Sequence, residues 1–234
     1  MIEIENVGVT GWKAAIYGMR NSWNSWDESD SDFCYKACFD GKCENCTNIE
    51  SCEIIGKNDL ALMKKLIKAG SSERKFLRFI NVTCDIVAPL YWWKEFDTYK
   101  IGTVRNSCST MHTIAKKEFT LDDFSFEHVE SLVDVDGFSL EYDDCTRVMM
   151  GDALKDGIVE VLNFNREKYI ETKNKKYWWE MIQLLPSSYN QRATVQFNYE
   201  VLMKMYQERK NHRLDEWKDF CKWIVQLPYM EEFI

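Results

Sequence analysis

The sequence has little of what several common catalytic chemistries need. Histidine occurs three times in 234 residues, at His112, His128 and His212, which argues against a His-rich metal site. Gly-x-Ser-x-Gly does not occur, and neither do a P-loop signature or Gly-x-Gly-x-x-Gly. Those absences remove the main support for serine hydrolase, P-loop NTPase and Rossmann dehydrogenase readings. No apolar run approaches the length of a membrane span, so we expect no membrane partner. The start, Met1-Ile2-Glu3-Ile4-Glu5, has no apolar signal core, and a cytoplasmic protein with reduced thiols is expected. The net charge of −8 argues against bulk nucleic acid as a partner, while leaving room for a local basic pocket.

What is present reads as a globular chain. With 45% hydrophobic and 29% charged residues, disorder and fibre are excluded. At this length roughly 70–75% of the unfolded surface can be buried, so the core needs no disulfide staples. Nine cysteines are unevenly placed. Cys34, Cys38, Cys43, Cys46 and Cys52 fall within nineteen residues, and the other four are scattered. Cys34, Cys38, Cys43 and Cys46 are the candidate ligands for zinc or an iron–sulfur cluster. Their spacing matches no standard pattern, and a loop of buried or free thiols is the alternative. Residues 18–56 read as a long irregular segment, so the chain divides into an N-terminal segment, 1–56, and a domain, 57–234. Trp12, Trp23 and Trp26 in that segment would suit a protein partner if exposed, or the core if buried.

Hydropathy patterning gives a helix-rich α/β (α+β) chain. A helix is predicted up to Ala69, capped by Asn58 or Asp59 and closed by Gly70. Phe79–Val87 alternates as a strand, and Leu90–Tyr99 reads as an aromatic helix. Residues 100–114 have no clean period, and 119–150 read as loops and short helices. Helices are predicted over about 152–172 and from Lys176 to Leu185, the second stopped by Pro186. Thr194–Phe197 is strand-like. The stripe Val201, Leu202, Met205, Tyr206 and the stripe Leu214, Trp217, Phe220, Cys221, Ile224 mark two further helices.

Two polar stretches gather groups that hold phosphate. The first runs from Lys100 to His112 and carries Arg105, Ser107 and Ser109. Arginine, hydroxyl and backbone donors of this kind suit an anion, though a solvated loop has the same composition. The second brings Gln191 and Arg192 together with Arg209, His212 and Arg213 near the ends of short elements. The guanidinium fork matches phosphate oxygens, and the alternative is ordinary helix-end cations.

The order Leu185-Pro186, Tyr189, Gln191, Asn198, Leu202, Arg209, Glu216 resembles the C-terminal half of the flavin-dependent thymidylate synthases, the ThyX family. In that family an Asn-x-Arg opens a helix and another Arg follows eleven residues after the Asn, a spacing kept by Asn198 and Arg209. Upstream, a helix, Gly70, a strand with Ala88-Pro89, an aromatic helix and a polar loop follow the family's order. The resemblance covers residues 57–114 and 184–227. It departs at three places. The family's Arg-His-Arg falls on Thr98-Tyr99-Lys100, its helix Arg on Glu200, and its Ala-Gln near Leu214-Asp215. The altered pattern is similar to that of a phage and Gram-positive branch.

The resemblance implies a ThyX-like fold, helix-rich with a central mixed sheet, and a homotetramer. It implies FAD-dependent one-carbon transfer to C5 of a uridine nucleotide, with a folate as carbon donor, in a methyltransferase needing no cysteine nucleophile. The substrate, a small anionic nucleotide, would meet Arg209 on the family's pattern and, on composition, Arg105, Ser107, Ser109, Arg192 and Arg213. The cofactor would meet Asn198, Gln191 and His212. The alternative is a ThyX-like protein without catalysis that binds a nucleotide, nucleic acid or protein, such as a phage counter-defence inhibitor.

Overall fold

A computed structural model describes residues 2–34, 52–129 and 144–234. The candidate metal ligands Cys38, Cys43 and Cys46 lie outside these residues. Cys34 ends strand β2 (Asp32–Cys34), whose antiparallel partner β3 (Cys52–Ile54) sets Cys34 opposite Cys52. Among the described residues no group of His, Cys, Asp or Glu is placed to hold a metal ion. Nor, among them, is any helix long and apolar enough to cross a membrane.

The remaining elements begin with β1 (Glu3–Thr10), α1 (Trp12–Arg20) and α2 (Lys57–Ala69). They continue through β4 (Asn81–Pro89), α3 (Leu90–Phe96), β5 (Thr103–Ser107), α4 (Thr110–Thr113) and α5 (Asp144–Thr172). The chain ends with α6 (Lys175–Leu184), β6 (Asn190–Asn198), α7 (Tyr199–Arg209), α8 (Asp215–Gln226) and α9 (Met230–Phe233). The four-stranded sheet has the order β1-β4-β6-β5. It is antiparallel, where a mixed sheet was expected. The facing pairs show the physical reason: Cys108 N–H donates to Arg192 O and Asn198 N–H to Gly102 O, so numbers rise on β5 as they fall on β6. The glutamates Glu3 and Glu5 alternate with Ile4 on β1, an edge strand, where charge discourages pairing with other chains.

The chain forms two compact units, and their division falls within β4 and β6. The first holds residues 1–3, 87–97 and 107–193. On α3, Trp92, Trp93 and Phe96 are buried, and the two indoles meet edge to face at 4.9 Å. Trp93 Nε1 donates to Gln191 O at 2.9 Å, so the aromatic helix is tied to β6. A second cluster, Ile114, Phe119, Phe124, Leu162 and Met181, is packed between α5, α6 and the loop that precedes them. Helix α5 starts eight residues before the expected position. Extending a formed helix adds one bond per residue fixed, which carries it through the acidic residues around 144–152. Asn174 caps α6 by accepting from Lys176 N–H at 3.0 Å, and Pro186 follows its end.

The second unit holds residues 4–86, 98–106 and 194–234. Trp12 is buried against Tyr199 and Tyr229 at 5.2 and 5.3 Å, edge to face in both cases. Trp23, by contrast, is 77% exposed and Trp26 is 42% exposed, so the three tryptophans divide between core and surface. Helix α2 ends at Gly70 as the sequence predicts, with φ of 115° that favours glycine. Its start is held differently from the expectation. Asp30, distant in sequence, accepts from Asn58 N–H at 2.9 Å and Asp59 N–H at 3.1 Å, doing the work of a cap.

Asp59 is thereby free for another role. Fully buried, it accepts from Arg20 Nε at 2.7 Å and from the hydroxyls of Ser29 and Ser31, both at 2.6 Å. Arg20, also buried, donates onward to Ser25 O and Glu28 O. A buried charge is tolerated only when paired and hydrogen-bonded, so this network fixes the 25–31 segment onto α2.

Three outcomes follow. Asp59→Ala should cost about 3–5 kcal/mol, because it leaves Arg20 buried without its partner. Urea unfolding reads this, and an unchanged midpoint would refute the role of the pair. Backbone donors, Asn58 N–H first, hold the Asp30 carboxyl below its ordinary pKa. Its contribution is complete above the unfolded value and fades as pH falls through the lowered one. The gap in melting temperature between wild type and Asp30→Asn should therefore shrink from neutrality toward about pH 3. Finally, burial pushes the Cys84 thiol up to about 12 and Cys221 up to about 11, while Cys108 is exposed. Maleimide labelling of the native protein at neutral pH, mapped by peptide mass, should find Cys108 modified well before the other two.

Candidate functional site

Polar side chains line an open cleft of about 790 Å³ beside Arg20, Glu28, Asn58 and Lys65, and two more enclosed ones, a larger in the second unit and a smaller in the first. In the second unit the key residue is Asn198, where β6 becomes α7. Its Oδ1 accepts from Val201 N–H at 2.9 Å and caps the helix. Its backbone N–H donates to Gly102 O at 3.2 Å. Gly102 has φ of 82°, and a Cβ there would lie 2.6 Å from Asn198 Nδ2. Only glycine allows both the turn and this approach.

Around that junction lies a cavity of about 510 Å³. Arg74 and Arg78 reach it from the 3₁₀ turn Arg74–Arg78, Lys100 from the segment before Gly102, and Glu200 and Lys204 from α7. Glu200 sits between the two arginines. Its Oε1 is 3.5 Å from Arg74 Nε, and its Oε2 accepts from Arg78 Nε. The bond to Glu200 raises the Arg78 pKa further above its ordinary value. Four cations thus face one carboxylate, which makes the cleft basic on an acidic chain.

Behind this cleft is a cation–aromatic knot. Tyr99 is buried, donates to Glu208 Oε2 at 2.8 Å and accepts from Arg209 Nε at 2.9 Å. The Arg209 guanidinium lies 5.0 Å from the Trp217 ring centre and 5.5 Å from that of Tyr99. Burial first, with the Glu208 carboxylate adding to it, raises the Tyr99 pKa, so its phenol stays protonated as a donor.

The cleft in the first unit is smaller, about 230 Å³, with Cys108, Thr110, Lys117, Tyr189, Gln191 and Arg192 in its wall. Gln191 Nε2 donates to Cys108 O at 2.8 Å and Thr110 Oγ1 at 3.1 Å, and Lys117 pairs with Asp123. Burial raises the Tyr189 pKa, with Asp123 adding to it.

The sequence-derived candidates are dispersed. Asn198 lies in the larger cleft, and Gln191 and Arg192 in the smaller. Arg209 belongs to the knot beside Tyr99. Arg105 and Ser107 lie on β5, and Ser109 precedes α4, where its carbonyl accepts from His112 and Thr113. His212 Nδ1 accepts from Leu214 N–H at 3.2 Å at the turn into α8, and Arg213 next to it is exposed. Among the described residues, Arg74, Arg78, Lys100 and Lys204 are the basic side chains of the larger cleft; Lys100 opens the polar stretch singled out in the sequence, whereas Arg74, Arg78 and Lys204 are not among its candidates. The available signal was the four-residue spacing of Arg74 and Arg78, together with Glu200 standing where an arginine was expected.

No family model and no curated protein matches the chain. Solved structures do. A flavin-dependent thymidylate synthase ThyX from Helicobacter pylori, complexed with FAD and dUMP, is similar with a TM-score of 0.63 at 17% identity, over 99% of this chain and 97% of that one. A UMP/dUMP methylase, PolB from Streptomyces cacaoi bound with 5-Br dUMP, is similar with a TM-score of 0.57 at 11% identity, over 100% and 94%. At these identities the likeness shows architecture, and the chain has the fold of ThyX proteins along essentially its whole length.

Proposed function

We propose that this chain is a nucleotide-modifying protein that holds the phosphate of a uridine nucleotide, or the diphosphate of a nucleotide cofactor, in the basic cleft around Asn198. The observation that carries the reading is the set Arg74, Arg78, Lys100 and Lys204 around one carboxylate, at the end of a strand that opens into a helix. Arginine forks suit phosphate oxygens, and the water-exposed lysines add attraction at longer range. The fold shared with a ThyX bound to FAD and dUMP and with a UMP/dUMP methylase supports this class of ligand. One-carbon transfer to C5 is the reaction that the resemblance favours.

The residues present fit the diphosphate part of FAD. Four cations can hold its diphosphate, and the cleft is large enough for that part of the molecule. Arg74, Arg78 and Lys100 would hold it, with Asn198 beside them. When bound, the reduced flavin would supply the hydride that completes a methyl group. The smaller cleft, with Gln191, Arg192 and Thr110, would orient a second ligand through amide and hydroxyl groups. Arg209 would position α7 and α8 behind the cleft, and Arg105, Ser107, Ser109, Arg213 and His212 would meet a ligand in an assembly of several copies of the chain.

A second reading has its own support. Of the three positions where the family has Arg-His-Arg, Tyr99 is turned into the knot with Arg209 and Glu208. This favours a protein that keeps the nucleotide site without flavin chemistry.

Calorimetry with dUMP and with FAD tests both readings. The proposal expects binding of at least one, and Arg74→Ala with Arg78→Ala should weaken it roughly 10–100-fold, the worth of a charge-assisted hydrogen bond. Flavin absorption in the purified protein supports the enzyme. A colourless protein that binds dUMP and takes up no FAD supports the binding module. Failure to bind either ligand would overturn the proposal.

A further inference from the structure

Among the described residues, Glu200 is the one carboxylate in the wall of the basic cleft, and it sits between the two arginines that an anion would meet. Only 16% of its side chain is exposed. It engages both arginines at once, through Oε1 to Arg74 and Oε2 to Arg78. A carboxylate and a phosphate offer the same thing to a guanidinium, a pair of oxygens spaced for its N–H donors. Glu200 thus takes the Nε–H of each arginine and offsets part of their charge, and an incoming anion that docks on those same N–H groups has to replace it.

The structure also offers a destination for the displaced side chain. Lys204 is four residues on along α7, on the same face and in the same cleft. A glutamate N-terminal to a lysine at this spacing is the favourable orientation of a helix ion pair. Lys204 now lies 3.8 Å from Glu208, four residues further still. Glu200, Lys204 and Glu208 thus form one row along the helix, and Lys204 can exchange one carboxylate for the other.

We infer that Glu200 is a specificity-determining residue, a resident anion that makes the Arg74–Arg78 site select ligands carrying several negative charges over monoanions. This deepens the nucleotide reading and rests on it. The selection follows from charge. A monoanion that displaces Glu200 exchanges one unit charge for another at the arginines and gains little. A phosphate monoester or a diphosphate brings additional charge and more acceptor oxygens, which Lys100 and the arginines can use. Glu200 also lies in the first turn of α7, where the helix dipole favours a negative group, so a weak competitor does not dislodge it.

The test compares inorganic pyrophosphate with dimethyl phosphate, a monoanion, by calorimetry at one fixed salt concentration. Wild type should bind pyrophosphate and bind dimethyl phosphate at least tenfold more weakly. Glu200→Gln, which keeps the shape and removes the charge, should tighten dimethyl phosphate tenfold or more and narrow the ratio between the two ligands. Glu200→Asp, which keeps the charge, should preserve the wild-type ratio, and it guards against a Gln variant that fails to fold. If wild type binds pyrophosphate and the ratio is the same within twofold in Glu200→Gln, the inference is overturned while the anion site stands. If no variant and no wild-type sample binds pyrophosphate, the anion site and the inference fall together.

Discussion

Asn198 is the constraint on which the larger cleft depends. Its side-chain oxygen begins α7, its backbone N–H closes onto Gly102, and its amide nitrogen leaves no room for a Cβ at that glycine. Three requirements meet in one residue: end the strand, start the helix, and admit the neighbouring turn. The helix start then places Glu200 in the first turn and Lys204 in the second, both turned to the cavity. The Lys100–Gly102 turn brings its lysine to the same wall. A polar residue that caps a helix and also lines a cavity is held with little rotamer freedom, which is the condition for recognising a ligand without a large ordering cost.

The electrostatics of the cleft are local and oppose those of the chain. A net charge of −8 belongs to the whole sequence, and the cleft reverses the sign over a few ångströms. Multivalent anions entering the cleft feel the nearby cations most strongly, because charges beyond about 10 Å are screened at ordinary salt. The knot behind the cleft uses charge differently. Arg209 is committed to Tyr99 and Trp217, where hydrogen bond and ring contacts stiffen the junction of α7 with α8. Its spacing from Asn198 matches the family pattern, and within this chain its contacts are those of a positioning residue.

Much of the fold was legible because it rests on local physics. Gly70 closes α2 by its left-handed backbone, Pro186 limits α6, and the stripe from Leu214 to Ile224 marks the buried face of α8. What escaped the sequence depends on partners far apart along the chain. The cap of α2 comes from Asp30, twenty-eight residues before its nearer partner, and no local pattern announces that. Strand β1 was missed because an edge strand with alternating glutamates looks like a polar tail. The site followed the same rule. Asn198 was readable from the family spacing, whereas Arg74 and Arg78 come to Glu200 across more than a hundred residues. The glutamate itself was visible only as a departure, and its significance emerged when the arginines were found around it.

The most direct measurement is a crystal structure of the protein soaked with dUMP. Phosphate oxygens should lie within hydrogen-bond distance of Arg74 and Arg78, with the Glu200 carboxylate moved away toward Lys204. A nucleotide phosphate bound elsewhere, with Glu200 still seated between the two arginines, would contradict that placement.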